Sequence, residues 1–96
     1  MDNHTSPLAA LTDPTLLKTD AFIDGVWVSA ADRFVVDDPA TGRKLADVAN
    51  LGAAGAEAAL AAAERAWPAW RVKTAKERAA ILLKWFHLLH PHADDL

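Results

Sequence analysis

The hydrophobic rhythm of the chain changes once. Before residue 50, apolar positions come in short β-branched and aromatic runs; from Gly52 onward they recur at about every 3.6 residues. The first half therefore predicts strands and the second half helices. Phe22-Ile23 and Val26-Trp27-Val28 flank Asp24-Gly25, a dipeptide that tolerates the positive φ angles of a type I′ turn, so residues 22–28 read as a tight β-hairpin. A second hairpin follows. Phe34-Val35-Val36 is one strand and residues 44–48 the other. Asp37-Asp38-Pro39-Ala40-Thr41-Gly42 connects them, with Pro setting the bend and Gly free to take positive φ.

Leu60, Ala63 and Trp67 share one face of the first helix, with Glu57, Glu64 and Arg65 elsewhere. Ala53 and Ala54 cannot cap it, so Gly52 or Asn50 must serve, and Trp67-Pro68 marks its expected end. The second helix opens on Thr74-Ala75-Lys76-Glu77, the form of a capping box. It then carries a wide apolar face at Ile81, Leu82, Trp85, Leu88 and Leu89. Pro91 ends this helix or opens another, and in the second case Asp94 and Asp95 stand in a new first turn. A chain that signals a helix and stops at Leu96 reads as truncated. Residues 1–15 are expected to form a flexible arm, in which Asp13-Pro14-Thr15-Leu16-Leu17 can start a single helical turn.

Composition narrows the function. Ninety-six residues suit one small domain, and 52% hydrophobic with 24% charged residues is a globular balance. The formal charge of −3, with no basic stripe, argues against nucleic acid as a partner. Cysteine is absent from the chain, which excludes a disulfide framework, a thiolate metal site and a cysteine nucleophile within it. Met1-Asp2-Asn3-His4-Thr5 lacks the basic start of a secretory signal, and no apolar run approaches the length of a bilayer span, so a cytoplasmic protein with no membrane partner is expected.

Four groups of residues could carry chemistry. His87 and His90 sit at i and i+3, with His92 beyond, which is the spacing of a shared metal; Pro91, however, breaks the helix such a site would need. Polar residues at a helix exit account for them better. Asp37 and Asp38 point to opposite faces of a strand and do not converge, so an Asp side chain bonding a nearby backbone N–H is the expected arrangement. Asp94 and Asp95 read as first-turn helix electrostatics. Gly25, Gly42, Gly52 and Gly55 form neither a dinucleotide fingerprint nor a phosphate loop. Trp67, Trp70, Trp85 and Phe86 read as core, or as surface that another part of a larger protein covers. No residue is assigned a catalytic, cofactor-binding or metal-binding role.

Taken together, these motifs resemble the aldehyde dehydrogenase superfamily. Phe22-Ile23-Asp24-Gly25-Val26-Trp27-Val28 is similar to its first hairpin. Asp38-Pro39-Ala40-Thr41-Gly42 with Leu45-Ala46-Asp47-Val48 resembles its Asn-Pro-x-Thr-Gly turn and following strand, Asp38 standing where the family usually has Asn. Residues 58–66 and Trp67-Pro68-Ala69-Trp70-Arg71 resemble the first long helix. Pro68-Ala69-Trp70-Arg71, Thr74-Ala75-Lys76-Glu77-Arg78 and Trp85-Phe86 are most similar to the succinate-semialdehyde dehydrogenases, a look that glutarate-semialdehyde enzymes share. Pro91 departs from the helix-compatible residue usual there.

The resemblance implies an α/β family fold with a Rossmann-like cofactor domain, of which residues 16–96 would be the outer N-terminal part. By itself the chain would be an α+β piece: two β-hairpins followed by two amphipathic helices. It also implies NAD or NADP as the full-length cofactor and aldehyde oxidation through a cysteine thiohemiacetal, with hydride transfer to NAD(P)⁺. None of those functional residues maps onto this chain, so no cofactor is expected to bind it alone. The implied partner is the rest of the dehydrogenase fold or a homologous subunit, with self-association likewise expected. The alternative is a stand-alone interaction module that binds a partner through its apolar helix faces.

Overall fold

The computed structural model describes residues 6–96; Met1 to Thr5 of the expected arm lie outside them. The four strands are β1 (Ala21–Ile23), β2 (Val26–Val28), β3 (Arg33–Asp37) and β4 (Lys44–Ala49). Two helices follow, α1 (Gly52–Arg71) and α2 (Ala75–Leu89), and single 3-10 turns lie at Pro7–Ala10, Pro14–Leu16 and His90–His92. The strands form two separate antiparallel pairs, β1 with β2 and β3 with β4.

The β1–β2 pairing places Phe22 opposite Trp27, whose rings meet edge to face at 4.9 Å. The turn between them has φ of 52° at Asp24 and 77° at Gly25, as a type I′ hairpin requires. In the second hairpin the side chain of Asp38 accepts from the Ala40 N–H at 2.9 Å, and its carbonyl accepts from the Gly42 N–H at 2.7 Å. Gly42 sits at a φ of 74°. Asp38 therefore acts inside its own turn, as the sequence suggested, and a register shift between Val36 and Asp37 turns the strand into it.

Arg33 joins the hairpins. One guanidinium nitrogen donates to the Asp20 carboxylate and to the Ser29 hydroxyl, each at 2.7 Å, both on the flanks of the first hairpin. The other reaches the Thr19 carbonyl and hydroxyl at 3.4 Å and the Asp47 carbonyl of β4 at 3.3 Å. Alongside, the Ala49 N–H donates to the Thr19 carbonyl at 2.9 Å, and Asn50 bonds Asp32 through both backbone and side chain. Ala49, at this junction, is the one buried hydrophobic residue among those described.

The start of α1 resolves the capping question. Leu51 is the cap position and offers no side-chain bond, while Asn50 Oδ1 accepts from the Gly52 N–H at 3.2 Å and Gly52 takes φ of 63°. The expected end of this helix is corrected. It runs through Pro68 to Arg71 instead of ending at Trp67-Pro68. Proline forfeits its N–H bond to the carbonyl four residues back, and its ring crowds that carbonyl, at a cost of about 3 kcal/mol in a helix interior. Here it does so near the end of an alanine-rich helix, whose high propensity carries the chain past it.

The α2 capping box forms as expected. The Glu77 N–H donates to the Thr74 hydroxyl and the Thr74 N–H to the Glu77 carboxylate, both at 3.1 Å. The Thr74 backbone N–H, followed by its hydroxyl, holds the Glu77 carboxyl below its ordinary value. The expectation of a new first turn containing Asp94 and Asp95 is corrected as well. Pro91 opens only a 3-10 turn, and the Asp95 side chain bonds backbone N–H groups at the other end of the chain.

The packing is open. The Cα radius of gyration is 17.4 Å, against about 12–13 Å for a compact chain of this length. The accessible surface is 7745 Å², roughly 2,400 Å² more than a compact monomer of 10.3 kDa exposes. Polar junctions therefore do much of the positioning that a core would otherwise do. Arg33→Ala is expected to lower unfolding free energy by about 1–2 kcal/mol in urea titrations followed by tryptophan fluorescence, because it strips two carbonyls and a carboxylate of one shared donor. Arg33→Lys should recover only part of that, since a single ammonium cannot present two nitrogens in one plane.

Candidate functional site

The described residues hold no converging catalytic set, and the sequence candidates fall into separate places. Asp37 lies on β3 and Asp38 is consumed by its turn. His87 and His90 both lie against the Phe86 ring, with centroids 5.4 and 5.6 Å away, so ring packing accounts for both. His92 faces a different recess, with Thr12, Asp13, Pro91, Asp94 and Asp95. No group of three or more His, Cys, Asp or Glu side chains among the described residues is placed to hold a metal ion. Gly25 and Gly42 make turns, Gly52 begins α1, and Gly55 lies inside that helix.

What the elements do build is a surface. Ala59, Ala62, Ala63 and Ala66 of α1 and Phe22, Ile23 and Asp24 of the first hairpin line an open recess of about 280 Å³. Sequence periodicity had grouped Ala63 with Leu60 and Trp67. The recess beside the hairpin is lined by the small residues, and Leu60 and Trp67 stay 62% and 54% exposed. Alanine lets a backbone approach closely where leucine or tryptophan would hold it away. At the edge of the recess Arg65 donates to the Asp24 carboxylate at 3.2 Å.

The largest exposed feature is α2. Ile81, Leu82, Leu83, Trp85, Phe86 and Leu88 are all solvent-exposed, from 44% at Ile81 to 68% at Leu88. Trp85 is exposed and Trp70 half-buried, so the tryptophans form no shared core. Trp27 is covered on one side by Phe22, with the Lys18 ammonium 5.4 Å from its ring centroid. Soluble monomers rarely leave large apolar surfaces open. Among the described residues no helix is long and apolar enough to cross a membrane.

The model of the aldehyde dehydrogenase family matches residues 27–96. The chain belongs to that family. Over 88 residues, 90% of the chain, it is 52% identical to the 3-sulfolactaldehyde dehydrogenase of Pseudomonas putida. Over a stretch of the same length it is 48% identical to the NADP(+) succinate-semialdehyde dehydrogenase of Escherichia coli. The crystal structure of succinate-semialdehyde dehydrogenase from Burkholderia pseudomallei superposes on 90% of the chain with a TM-score of 0.79 and 49% identity. In each case the chain spans 18% of the relative's length, as its N-terminal segment. The solved relatives thus carry this arrangement of hairpins and helices inside a far larger molecule.

One contact in the site can be ranked by magnitude. Arg65 and Asp24 are both about two-thirds exposed, and such ion pairs contribute about 0–1 kcal/mol. Arg65→Ala should leave the urea midpoint almost unchanged, and added salt should not distinguish it from the parent chain. A large destabilisation would mean that the pair, and not the alanine face, seats the hairpin on α1.

Proposed function

We propose that this chain is the N-terminal structural segment of an NAD(P)-dependent aldehyde dehydrogenase acting on short aldehydes with an anionic far end, and that it is inactive alone. The observation that carries the reading is the open apolar surface of α1 and α2 in a segment whose relatives are more than five times its length. In this reading the exposed Trp67, Trp85 and Leu88 pack against the rest of the dehydrogenase, beside its Rossmann-like cofactor domain. The segment's task is to cover and brace that domain. The substrate class rests on the relatives' names, since succinate semialdehyde carries a carboxylate and 3-sulfolactaldehyde a sulfonate. Succinic semialdehyde is the first substrate to assay, with NAD⁺ and NADP⁺ in turn.

Family chemistry needs a cysteine thiolate to attack the aldehyde and a nicotinamide to accept hydride. This chain contains no cysteine, so the nucleophile comes from the portion it packs against. Such work fits the cytoplasm. A second reading, favoured by the same exposed faces, is a free interaction module that binds an intact dehydrogenase subunit in trans.

Two measurements test the proposal. Purified chain with succinic semialdehyde and either nicotinamide should form no NAD(P)H above a protein-free blank, and turnover would overturn the claim of inactivity. Co-expression with a homologous dehydrogenase lacking its own N-terminal segment should restore activity that neither piece shows alone; failure to associate would count against the bracing role.

The open surface also sets solution behaviour. Roughly 2,400 Å² of excess area exceeds what a standard interface of about 1,600 Å² buries, so the isolated chain should self-associate. Sedimentation over a concentration series should show oligomers that the double substitution Trp85→Lys, Leu88→Lys converts toward monomer. A monomeric parent chain with a sharp cooperative melt would refute this.

A further inference from the structure

The contact spanning the greatest sequence distance among the hydrogen bonds described joins the two ends of the segment. The Asp95 carboxylate accepts from the Thr12 N–H at 2.8 Å and from the Asp13 N–H at 2.9 Å, one bond to each oxygen. These bonds cross 83 and 82 positions of the chain. Two successive backbone N–H groups aimed at one carboxylate form a small anion cradle, and a charged acceptor strengthens both bonds. Each side is shaped locally. Asp13 caps the Pro14–Leu16 turn, with its carboxylate accepting from the Thr15 N–H at 3.1 Å and the Thr15 hydroxyl at 2.6 Å. Across the gap, the His90–His92 turn opened by Pro91 brings Asp95 round, and the Asp95 N–H donates to the His92 carbonyl at 3.0 Å. Pro91, which breaks α2, is what lets the chain bend toward the N-terminal segment.

We propose that Asp95 is a carboxylate latch that fastens the N-terminal segment to the exit of α2 and releases it when the carboxylate is neutralised. The recess at the latch, about 340 Å³, is lined by Thr12, Asp13, Pro91, His92, Asp94 and Asp95. The charged or titratable groups facing Asp95 are therefore Asp13, Asp94 and His92. His92 favours the charged form of both Asp95 and Asp13, and the Asp95 charge opposes that of Asp13. The amides prevail: the Thr12 N–H first and the Asp13 N–H second hold Asp95 below its ordinary value of 3.8. Asp13 is lowered as well, mainly by the Thr15 hydroxyl and then the Thr15 N–H. A lowered folded-state value means that the latch contributes fully above 3.8 and is lost as pH falls through the lower folded value. The segment is then fastened at neutral pH and freed in strong acid.

The amide resonances of Thr12 and Asp13 in the purified 96-residue chain test this. Asp95→Ala should move both amide protons upfield and speed their exchange with solvent on the order of tenfold. Asp94→Ala removes an acid from the same recess that accepts from neither amide, and should leave both where they are. Unmoved amides in Asp95→Ala, or equal movement in Asp94→Ala, would overturn the latch. If Asp95→Ala does not fold, the parent chain decides. The two amides should titrate together with the Asp95 carboxyl carbon at one midpoint below 3.8, and amides indifferent to that titration would refute the proposal.

Discussion

The arrangement depends on the shared donor at Arg33. In a chain whose single buried hydrophobic residue among those described is Ala49, no apolar core sets how the two hairpins lie, and neither two-stranded pair would be stable in water alone. The guanidinium supplies a fork with fixed angles: one arm on Asp20 and Ser29, the other on Thr19 and Asp47. Because those partners belong to both hairpins, one side chain fixes their relative placement. The Ala49 N–H, bonded to the Thr19 carbonyl, then carries the same junction to the threshold of α1. The Asp20–Arg33 pair is about one-third exposed, which keeps its desolvation cost low and its Coulombic gain modest. Its value lies in geometry more than in energy.

What was legible in the sequence was what a few neighbouring residues decide. The Asp24-Gly25 turn, the Asp38 turn with Gly42, and the Thr74–Glu77 box all formed as read, because each closes its bonds within four or five residues. Two errors share one source. Pro68 reads as a helix end, yet it is carried through by the helix on either side of it, whereas Pro91 does follow the end of α2. Asp95, read as helix electrostatics, is held by amides 82 and 83 positions away. Periodicity missed the alanine face for a related reason. It ranks residues by hydrophobicity, and alanines that line a recess rank low.

The two helices present different surfaces. On α1, Ala59, Ala62, Ala63 and Ala66 line the recess beside the first hairpin, while the bulky Leu60 and Trp67 stay exposed. On α2 every residue from Ala79 to Leu89 is exposed, and its large side chains touch little of the segment. An independent domain of this length would do the reverse, burying its tryptophans first. The distribution agrees with the proposed role as a segment that the rest of a dehydrogenase covers.

The relatives sharpen where substrate choice resides. A dehydrogenase named for a sulfonated aldehyde and one named for a carboxylated aldehyde match this segment almost equally well. If side chains here contacted substrate, they would have to suit a planar carboxylate in one enzyme and a tetrahedral sulfonate in the other, and the identities would diverge. The structure gives the same answer from the opposite direction. Asp38, Glu77, Arg33 and Asp95 are held in turns, caps and junctions, and the recess beside the first hairpin is lined mostly by alanine. In the reading proposed above, substrate discrimination belongs to the rest of the dehydrogenase.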